Sequence, residues 1–417
     1  MRSSLALLFA SSLSLCAAEW PGWRGPDQDG SVGGKEPPAQ FGPDENLKWK
    51  VELPGRGCST PIVVDGKIIL TASIDGKDAV IAYDMGGKEL WRESFGKLRP
   101  GRGKTGSSAN SSAVTDGKGV FVFFKSGQVA GLDLDGKLRW KFNLFEKFGE
   151  DKLWWDVGTS PVIAGGNVVI AQMQTDAPEY VVALDPKTGD TVWNIKRPFE
   201  TGVESADAYT TPLVLEIDGK ETIVLWGADH VTGHDPKDGS TRWTIGGINP
   251  EKIKAWRTIA SSVATGEIAL IPAGRGSISF GVKMGGKGDV TGTAHLWKQK
   301  IGADASTPIA RDGKFYILTD RGPKRGMVYC LDAKTGEIEW EDRLPRGAQT
   351  YYSSPLLAGN LLIAARESGA VFTAKVTNDG LEDIVSNELG EGFFASPVVV
   401  DGMLLLRGDK TLFCFEK

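Results

Sequence analysis

Seven tryptophans recur along the chain at nearly even spacing. They stand 42, 49, 53, 50, 54 and 43 residues apart, at Trp49, Trp91, Trp140, Trp193, Trp243, Trp297 and Trp340. Each closes a segment of one kind: a Ser or Thr followed in most copies by Pro, an apolar run, a Gly turn, an aliphatic-Asp step and a second Gly turn. A period of this length is typical of supersecondary units stacked against one another. The chain is therefore a repeat protein.

The units number eight and read as β-structure. Their first strands begin at Pro61, Ala113, Pro161, Pro212, Val263, Pro308, Pro355 and Pro397. In the first unit, residues 62–64 and 68–70 are apolar runs on either side of Asp65-Gly66, a pattern typical of an antiparallel hairpin. Four such strands suit one blade of a β-propeller. We predict an all-β, eight-bladed propeller of four-stranded antiparallel blades; seven blades is the alternative, because the seventh unit lacks its Trp.

The last unit holds only three strands after Pro397 before the chain ends. A fourth is available in residues 47–51, ahead of the first unit. We therefore expect the N-terminal strand to complete the final blade and close the ring, which removes the unpaired edges of an open one. The predicted organisation is a signal peptide at 1–18, an irregular segment at 19–45 and the propeller at 46–417. The tryptophans are expected to fill the gaps between blades.

The net charge limits the expected partners, and the N-terminal residues indicate the cellular location. The net charge is only −5, so neither nucleic acid nor an anionic membrane surface is an expected partner. Arg2, the apolar residues 5–15 and the small residues Cys16 to Ala18 have the pattern of a cleaved secretory signal, and the apolar run is too short to span a bilayer. We expect a periplasmic or secreted protein. Lipidation of Cys16 is the alternative, against which Leu15 argues.

Cysteine and histidine usage gives no sign of a metal centre. The mature chain keeps three cysteines, Cys58, Cys330 and Cys414. They are far apart in sequence, and buried free thiols are expected. The three histidines are His230, His234 and His295. The first two do not share a helical face and the third is remote, so no zinc site and no other metal site is predicted.

Two stretches of the repeat resemble a known family. YCLDAKTGEIEW at residues 329–340 and VALDPKTG at residues 182–189 are similar to the pyrroloquinoline-quinone (PQQ) repeat. That repeat builds the eight-bladed propellers of the quinoprotein dehydrogenases and of a periplasmic lipoprotein that assists outer-membrane protein assembly. The resemblance covers the chain from about residue 47 onward. The opening WPGWRGP at residues 20–26 further resembles secreted PQQ-like propellers of planctomycete, verrucomicrobial and related bacteria.

The resemblance leaves two functions open. If the chain resembles the quinoprotein alcohol dehydrogenases in function, the resemblance implies bound PQQ, a Ca²⁺ site beside an Asp base, and a pair of adjacent cysteines against the cofactor. This chain has no adjacent cysteines, and its candidate carboxylates, Asp156, Glu204, Asp207 and Asp304, match no motif of those enzymes. We therefore expect a non-catalytic binding or scaffolding propeller without a cofactor. A dehydrogenase that uses PQQ and Ca²⁺ is the alternative.

The loops that lead into the innermost strands are expected to meet at one mouth of the central channel. Their side chains combine aromatic rings, arginines and carboxylates, a composition typical of recognition surfaces. The candidate ligand-binding residues are Arg99, Arg102, Asn110, Trp154, Trp155, Asp156, Glu204, Asp207, Tyr209, Trp256, Arg257, Asp304, Tyr351, Tyr352, Phe393 and Phe394. The competing interpretation is that the aromatics plug the channel. A monomer that binds an envelope protein, a peptide or a glycan is expected.

Overall fold

Eight antiparallel sheets of four strands surround a central channel, in a computed structural model that describes residues 19–103, 105–174, 177–202 and 204–417. The predicted eight-bladed propeller is confirmed, and the seven-bladed alternative is wrong. The predicted signal peptide, residues 1–18, lies outside the described residues. Within those residues, no helix combines the length and the apolarity needed to cross a bilayer.

The blades follow the sequence units in order, and each runs from an innermost to an outermost strand. Blades 1 to 4 consist of Ile62–Val64, Lys67–Ile74, Lys77–Asp84 and Glu89–Lys97; Val114–Thr115, Gly119–Phe123, Gln128–Asp133 and Leu138–Asn143; Val162–Ala164, Asn167–Gln172, Tyr180–Leu184 and Thr191–Ile195; and Leu213–Ile217, Lys220–Gly227, His230–His234 and Thr241–Ile245. Blades 5 to 7 consist of Val263–Thr265, Ile268–Ala273, Ile278–Lys283 and His295–Gln299; Ile309–Arg311, Lys314–Leu318, Met327–Asp332 and Ile338–Arg343; and Leu356–Ala358, Leu361–Ala365, Ala370–Val376 and Leu381–Glu388.

Blade 8 joins the two ends of the described chain. Val398–Val400, Met403–Arg407 and Thr411–Phe415 supply its first three strands, and Leu47–Glu52 supplies the outermost one. That strand runs antiparallel to Thr411–Phe415, with Leu47 opposite Phe415 and Glu52 opposite Thr411. The predicted closure of the ring by the N-terminal strand is therefore confirmed.

Four short elements are added to the blades. Ser31–Val32 pairs in parallel with the innermost strand of blade 7, and Gly288–Asp289 pairs in parallel with the outermost strand of blade 4. Two short helices, Leu144–Phe148 and Thr291–Ala294, adjoin blades 2 and 5. These additions extend two blades to five strands and leave the four-stranded plan of each blade intact.

Turn chemistry explains why the first two strands of a blade form a tight hairpin. Asp65 and Gly66 have φ values of 49° and 66°, the left-handed pair that a type I′ turn requires. Asp and Gly are the residues that tolerate this conformation, and its twist matches that of the flanking strands. Asp401-Gly402 repeats the arrangement in blade 8, with φ values of 52° and 79°.

Burial differs between the inner and the outer strands. Ile62–Val64 is buried at every position, whereas Leu47–Glu52 alternates between half-buried and exposed residues. An inner strand has neighbouring blades on both faces, so both of its side-chain rows are apolar. An outermost strand faces solvent on one side, and its alternating sequence places charged residues there.

Most of the repeat tryptophans join one blade to the next. The indole Nε1 of five of them donates to a backbone carbonyl in the turn between the third and fourth strands of the following blade, at 2.9–3.1 Å. The pairs are Trp49 with Met85, Trp91 with Leu134, Trp140 with Pro186, Trp193 with Pro236 and Trp297 with Ala333. We call this contact the tryptophan clasp.

A glycine lies beneath each clasped indole. A Cβ atom on these glycines would stand 2.4–2.8 Å from the ring, closer than van der Waals contact allows, and each has a positive φ. The five are Gly87, Gly136, Gly189, Gly239 and Gly336. The sequence therefore needs Gly in this turn for two reasons, namely the backbone conformation and the space taken by the indole of the preceding blade.

The N-terminal segment, which precedes the outermost strand of blade 8, runs across one face of the ring. The linkers between blades lie on the other face. Trp20 is buried and pairs with Val63 of blade 1, and the carbonyl of Asp29 accepts from the N–H of Ala310 in blade 6. Between them, the buried Arg24 donates to the carbonyls of Pro308 and Pro355, at 2.7 and 2.6 Å. We call this side the floor face and the opposite side the mouth face. The channel is therefore covered at the floor.

Replacing Trp193 with Ala tests the tryptophan clasp. Trp193 is 8% exposed, donates to Pro236 at 2.9 Å and covers Gly239, so its loss leaves a cavity between blades 3 and 4. We expect the free energy of unfolding, measured by chemical denaturation, to fall by about 3–5 kcal/mol. The control is Trp154→Ala, at a residue 64% exposed, which should change it by less than about 0.5 kcal/mol. Equal stability of the Trp193 variant and the wild type would contradict the clasp.

Candidate functional site

A cavity of about 320 Å³ occupies the channel below its mouth. Its wall combines hydroxyls, aromatic rings, two arginines and one carboxylate, and its base includes Trp23 from the segment on the floor face. The lining residues are Trp23, Cys58, Thr60, Arg102, Thr105, Gly106, Asn110, Ser112, Trp155, Asp156, Gly158, Ser160, Tyr209, Arg257, Ile259, Ser261, Ala305, Thr307, Tyr352, Ser354, Phe394 and Ser396. Because the floor segment covers the far end, the cavity is a cup that opens at the mouth face.

A ring of hydroxyl side chains encircles the cup, one from each blade. Its members stand just before each innermost strand: Thr60, Ser112, Ser160, Thr211, Ser261, Thr307, Ser354 and Ser396. Seven hydrogen bonds of 2.9–3.1 Å run from a backbone N–H of one member to the hydroxyl oxygen of the next, and the bond from Ser396 to Thr60 passes between blades 8 and 1. We call this ring the hydroxyl girdle.

The girdle shows how the blades are aligned and what they offer a ligand. Its member in blade 5 is Ser261, so Ser262, and not Val263 as predicted, takes the position of Pro61. Seven of the eight members line the cup. A hydroxyl that accepts an N–H keeps its own hydrogen for a second partner. The cup wall therefore presents a circle of hydrogen-bond donors.

Aromatic rings form the rim of the cup. Trp155 is 42% exposed, and Tyr352 stacks on Phe394 with ring centroids 5.7 Å apart and an interplanar angle of 29°. Trp155 is fixed from below, because its backbone N–H donates to the Tyr209 hydroxyl at 2.9 Å. Burial raises the pKa of Tyr209, which keeps its hydroxyl protonated at neutral pH. These rings leave the cup open and do not plug it.

Arg257 is the centre of a charged cluster beside Trp155. Its guanidinium donates to Asp304 Oδ2 at 2.6 Å, stands 4.0 Å from Glu204 Oε1 and lies 5.5 Å from the centroid of the Trp155 ring. Arg321 also donates to Asp304 Oδ2. Among the described residues, two buried polar atoms of the cluster, Arg257 Nε and Asp304 Oδ1, have no hydrogen-bond partner.

A buried ion pair supports another part of the wall, next to Trp155 in the sequence. Lys125 donates to Asp156 Oδ1 and, at 2.7 Å, to the carbonyl of Pro100, and the side chains of Lys125 and Asp156 are 3% and 8% exposed. The second carboxylate oxygen of Asp156 accepts the N–H of Arg102 at 2.8 Å. Asp156 therefore holds the loop of Arg102 against the cup.

The structure brings together half of the predicted site residues in the cup wall. These eight are Arg102, Asn110, Trp155, Asp156, Tyr209, Arg257, Tyr352 and Phe394. Another four touch that wall from outside: Trp154, whose carbonyl accepts from Arg102; Asp207, which accepts the N–H of Trp154; and Glu204 and Asp304, which pair with Arg257. Arg99 pairs with Asp151, and Trp256 is half-buried and packs near Gly274; neither lines the cup.

Two predicted site residues lie in the core instead. Tyr351 and Phe393 are fully buried in the apolar packing of blades 7 and 8. Each stands beside a rim residue, Tyr352 or Phe394, and successive residues of an extended chain point to opposite sides. The placement of Tyr351 and Phe393 at the mouth was therefore wrong.

Sequence reasoning missed the girdle, Trp23 and Cys58. The recurring Ser or Thr before each unit was visible and could have indicated the girdle, whereas no local signal places Trp23 at the base of the cup. Cys330 and Cys414 are buried free thiols, but Cys58 is half-buried and lines the cup, so its predicted burial was wrong. Burial of its sulfur still raises the pKa of the Cys58 thiol, which keeps it neutral at pH 7.

The carboxylates at the mouth are already engaged. Asp156 is paired with Lys125, and Asp304 with Arg257 and Arg321. Over the described ranges, no three His, Cys, Asp or Glu side chains come close enough to hold a metal ion. His230 and His234 are the two ends of one strand of blade 4, so they do not share a helical face.

Replacing Lys125 with Met tests the ion pair that supports the cup. The change leaves the Asp156 carboxylate buried without its cation, which we expect to lower the free energy of unfolding by about 3–5 kcal/mol. The double variant Lys125→Met/Asp156→Asn removes the uncompensated charge while keeping an acceptor for the Arg102 N–H, and should recover most of the loss. Urea denaturation measures both. A single variant as stable as the wild type would contradict the assignment.

Comparisons with known proteins agree with this architecture. The family model described as outer membrane protein assembly factor BamB matches residues 42–177, 173–287 and 287–383. Among curated proteins, BamB of Bordetella pertussis is 22% identical over 383 residues, 89% of this chain and 88% of that protein. Quinohemoprotein alcohol dehydrogenase ADH-IIG of Pseudomonas putida is 26% identical over 320 residues, 70% of this chain. That match spans 41% of the dehydrogenase, less than half its length.

Solved structures show the same fold. BamB from Moraxella catarrhalis aligns with a TM-score of 0.61 and 17% identity, over 89% of this chain and 99% of that one. Quinohemoprotein alcohol dehydrogenase from Comamonas testosteroni aligns with a TM-score of 0.66 and 15% identity, over 95% of this chain and 80% of that one. At this identity the likeness concerns the fold alone.

Proposed function

The chain belongs to the family described as outer membrane protein assembly factor BamB, and we propose that it is a non-catalytic binding module whose ligand site is the cup. The observation that carries the proposal is the cup itself: a cavity with a covered floor, a wall of hydroxyls and a rim of exposed rings. Aromatic rings around a few placed polar groups are the usual composition of a binding site.

The ion pairing of the polar groups favours ligand binding over catalysis. A general base needs a carboxylate or imidazole that can take a proton, and the mouth carboxylates Asp156 and Asp304 are held by Lys125, Arg257 and Arg321. A nucleophile needs a base within hydrogen-bond reach, and the Cys58 thiol donates to the carbonyl of Thr105, at 3.8 Å, which is not a base. Fixed ion pairs of this kind suit recognition, because they hold the wall in shape.

A dehydrogenase that uses PQQ and Ca²⁺ is the second candidate, and the 26% identity to a quinohemoprotein alcohol dehydrogenase favours it. The residues of this chain do not fit those groups. Ca²⁺ takes six to eight oxygen ligands, several from carboxylates, whereas Asp304 is already bound by two arginines and no three acidic side chains cluster among the residues that the structure describes. The chain also lacks the adjacent cysteines that its resemblance to those enzymes implies.

The ligand that best suits the cup is an extended polypeptide segment with apolar side chains. Trp154 and Trp155 are 64% and 42% exposed, and Tyr352 on the other side of the mouth is 37% exposed. Such rings bury apolar side chains at low entropic cost, since each has only two side-chain torsions to fix. The girdle can bond to peptide carbonyls inside the cup. The family is named for outer-membrane protein assembly. A matching partner is therefore an unfolded outer-membrane strand, in which apolar and polar residues alternate.

Replacing Trp155 with Ala tests the peptide site. The probe is a fluorescein-labelled synthetic peptide with alternating aromatic and polar residues, and the measurement is its anisotropy on titration with the mature chain. We expect saturable binding that Trp155→Ala weakens about tenfold, or roughly 1.4 kcal/mol, because a central exposed ring carries much of the contact. The control is Leu296→Ala, on an outermost strand of blade 5 and 41% exposed, which should leave binding unchanged.

Three outcomes would contradict the peptide proposal. Equal affinity of Trp155→Ala and the wild type would place the peptide away from the cup. Binding of a soluble peptidoglycan fragment but not of the peptide, measured by calorimetry, would make the ligand a glycan. Binding of PQQ that depends on Ca²⁺, together with dye-linked oxidation of an alcohol, would make the chain a dehydrogenase.

The same proposal includes a location. We place the protein in the periplasm or outside the cell as a monomer, following the signal peptide predicted at residues 1–18. An envelope location agrees with the outer-membrane role in the name of the family. Nucleic acid is not among the proposed partners, because the net charge is −5.

A further inference from the structure

A second cavity opens on the mouth face, outward from the cup. It has a volume of about 220 Å³ and lies between the turn that joins the second and third strands of blade 6 and the linker from blade 6 to blade 7. Its lining residues are Gly322, Pro323, Arg325, Arg343, Arg346 and Gly347. Three of these six are arginines and none is acidic. We call it the arginine pocket.

Two of the three guanidinium groups are fixed by backbone carbonyls. Arg325 donates through Nη1 to the carbonyl of Gly347 at 3.2 Å, and Arg343 donates through Nη1 to the carbonyl of Arg325 at 3.1 Å. The turn and the linker are thus tied together across the pocket. Fixed donors lose little conformational freedom when a ligand binds, which favours affinity. Arg346 is exposed at the edge of the same pocket.

The arginines of the pocket have no carboxylate partner among the described residues. Within the described part of the chain, Arg325, Arg343 and Arg346 form no ion pair, and the buried Nε of Arg325 has no hydrogen-bond partner. The neighbouring carboxylate, Asp342, accepts the backbone N–H groups of Arg343 and Leu381, at 2.7 and 3.1 Å. Those contacts fix its oxygens on the backbone.

A fourth arginine lies directly beneath. A Cβ atom on Gly347 would stand 2.1 Å from Arg366 Nη1, so a glycine is needed for the guanidinium to approach the linker. Arg366 is 5% exposed and donates through Nη2 to the carbonyl of Pro345 and the hydroxyl of Tyr351, each at 2.7 Å. Both acceptors are neutral, so the charge of Arg366 adds to the potential of the pocket.

We propose that the arginine pocket binds a phosphoryl group. Planar guanidinium groups match the oxygens of a phosphate with paired hydrogen bonds. A phosphate monoester carries about −1.5 to −2 charges at pH 7, which suits several converging cations better than the single charge of a carboxylate. Free phosphate carries a similar charge, and the same monoester group forms the headgroup of phosphatidic acid. This site is separate from the cup and does not depend on the function proposed for it.

Replacing Arg346 with Gln tests the proposal without disturbing the fold, because Arg346 is exposed and its side chain forms no hydrogen bond or ion pair with any residue that the structure describes. The probe is inorganic phosphate, titrated by calorimetry at fixed low ionic strength. We expect saturable binding by the wild type and a roughly tenfold weaker affinity in Arg346→Gln, since a hydrogen bond to a charged group is lost. Arg343→Gln should weaken it similarly.

The matched control is Arg139→Gln. Arg139 is also exposed, forms no ion pair among the described residues and donates to a backbone carbonyl, that of Lys118, but it lies on the outermost strand of blade 2. The Arg139→Gln variant has the same net charge as Arg346→Gln and should bind phosphate as the wild type does. Absence of saturable binding by the wild type, or equal affinity of wild type and Arg346→Gln, would overturn the proposal.

Vesicles distinguish the two sources of phosphate. Sedimentation of the wild type, but not of Arg346→Gln, with phosphatidylcholine vesicles that contain phosphatidic acid would identify a lipid headgroup. Binding of inorganic phosphate without sedimentation would identify a soluble phosphate compound. Both results support a phosphoryl site. Equal sedimentation of Arg346→Gln and the wild type would show that the membrane contact lies elsewhere and would count against the pocket.

Discussion

The tryptophan clasp is the contact on which the rest of the structure depends. A propeller blade shares no backbone hydrogen-bond ladder with its neighbours, so the ring is held by what crosses between blades. Each clasp combines an indole that is buried or half-buried, one hydrogen bond from its Nε1, and a glycine whose positive φ and missing side chain let the indole lie against the turn. Trp49 makes the clasp from blade 8 to blade 1 and thereby helps to close the circle. The girdle repeats the same closure nearer the axis.

The same constraint explains why the fold was readable from the sequence. A clasp needs Trp on one strand and Gly on a turn of the next blade, so both residue types must recur at the length of a blade. The period therefore predicted stacked units, the eight unit starts from Pro61 to Pro397 predicted the number of blades, and residues 47–51 predicted the closure. Blade 7 ends without Trp and still forms, because its outermost strand, Leu381–Glu388, pairs along its length with the third strand.

The site could be predicted only in part from the sequence, for physical reasons that differ from residue to residue. Loop aromatics were predicted as a group, but the sequence does not tell which of two adjacent rings faces the axis; Tyr352 and Phe394 do, whereas Tyr351 and Phe393 pack in the core. Trp23 reaches the cup because the N-terminal segment crosses the floor face, and only the tertiary structure brings those parts together. The arginine pocket depends likewise on a turn and a linker that are joined by Arg325 and Gly347.

Repeated features and features that occur once have different roles in this chain. Features that recur around the ring, such as the clasp at five blade junctions and the girdle in all eight blades, build the ring, while features that occur once, such as the Arg257 cluster and the Lys125–Asp156 pair, shape the cup. A ligand site built from features that occur once suits a fold with many functions, because the scaffold stays constant while the loops change. The two kinds of feature therefore account for stability and for recognition, respectively.

Hydrogen–deuterium exchange of the mature chain, with and without a saturating peptide of alternating aromatic residues, tests the central claim most directly. The account predicts slower exchange in the loops around the cup, at residues 105–110, 153–159, 204–210 and 256–260. It predicts no change on the floor face or in the outermost strands. Protection confined to those outermost strands, with the loops of the cup unchanged, would contradict it.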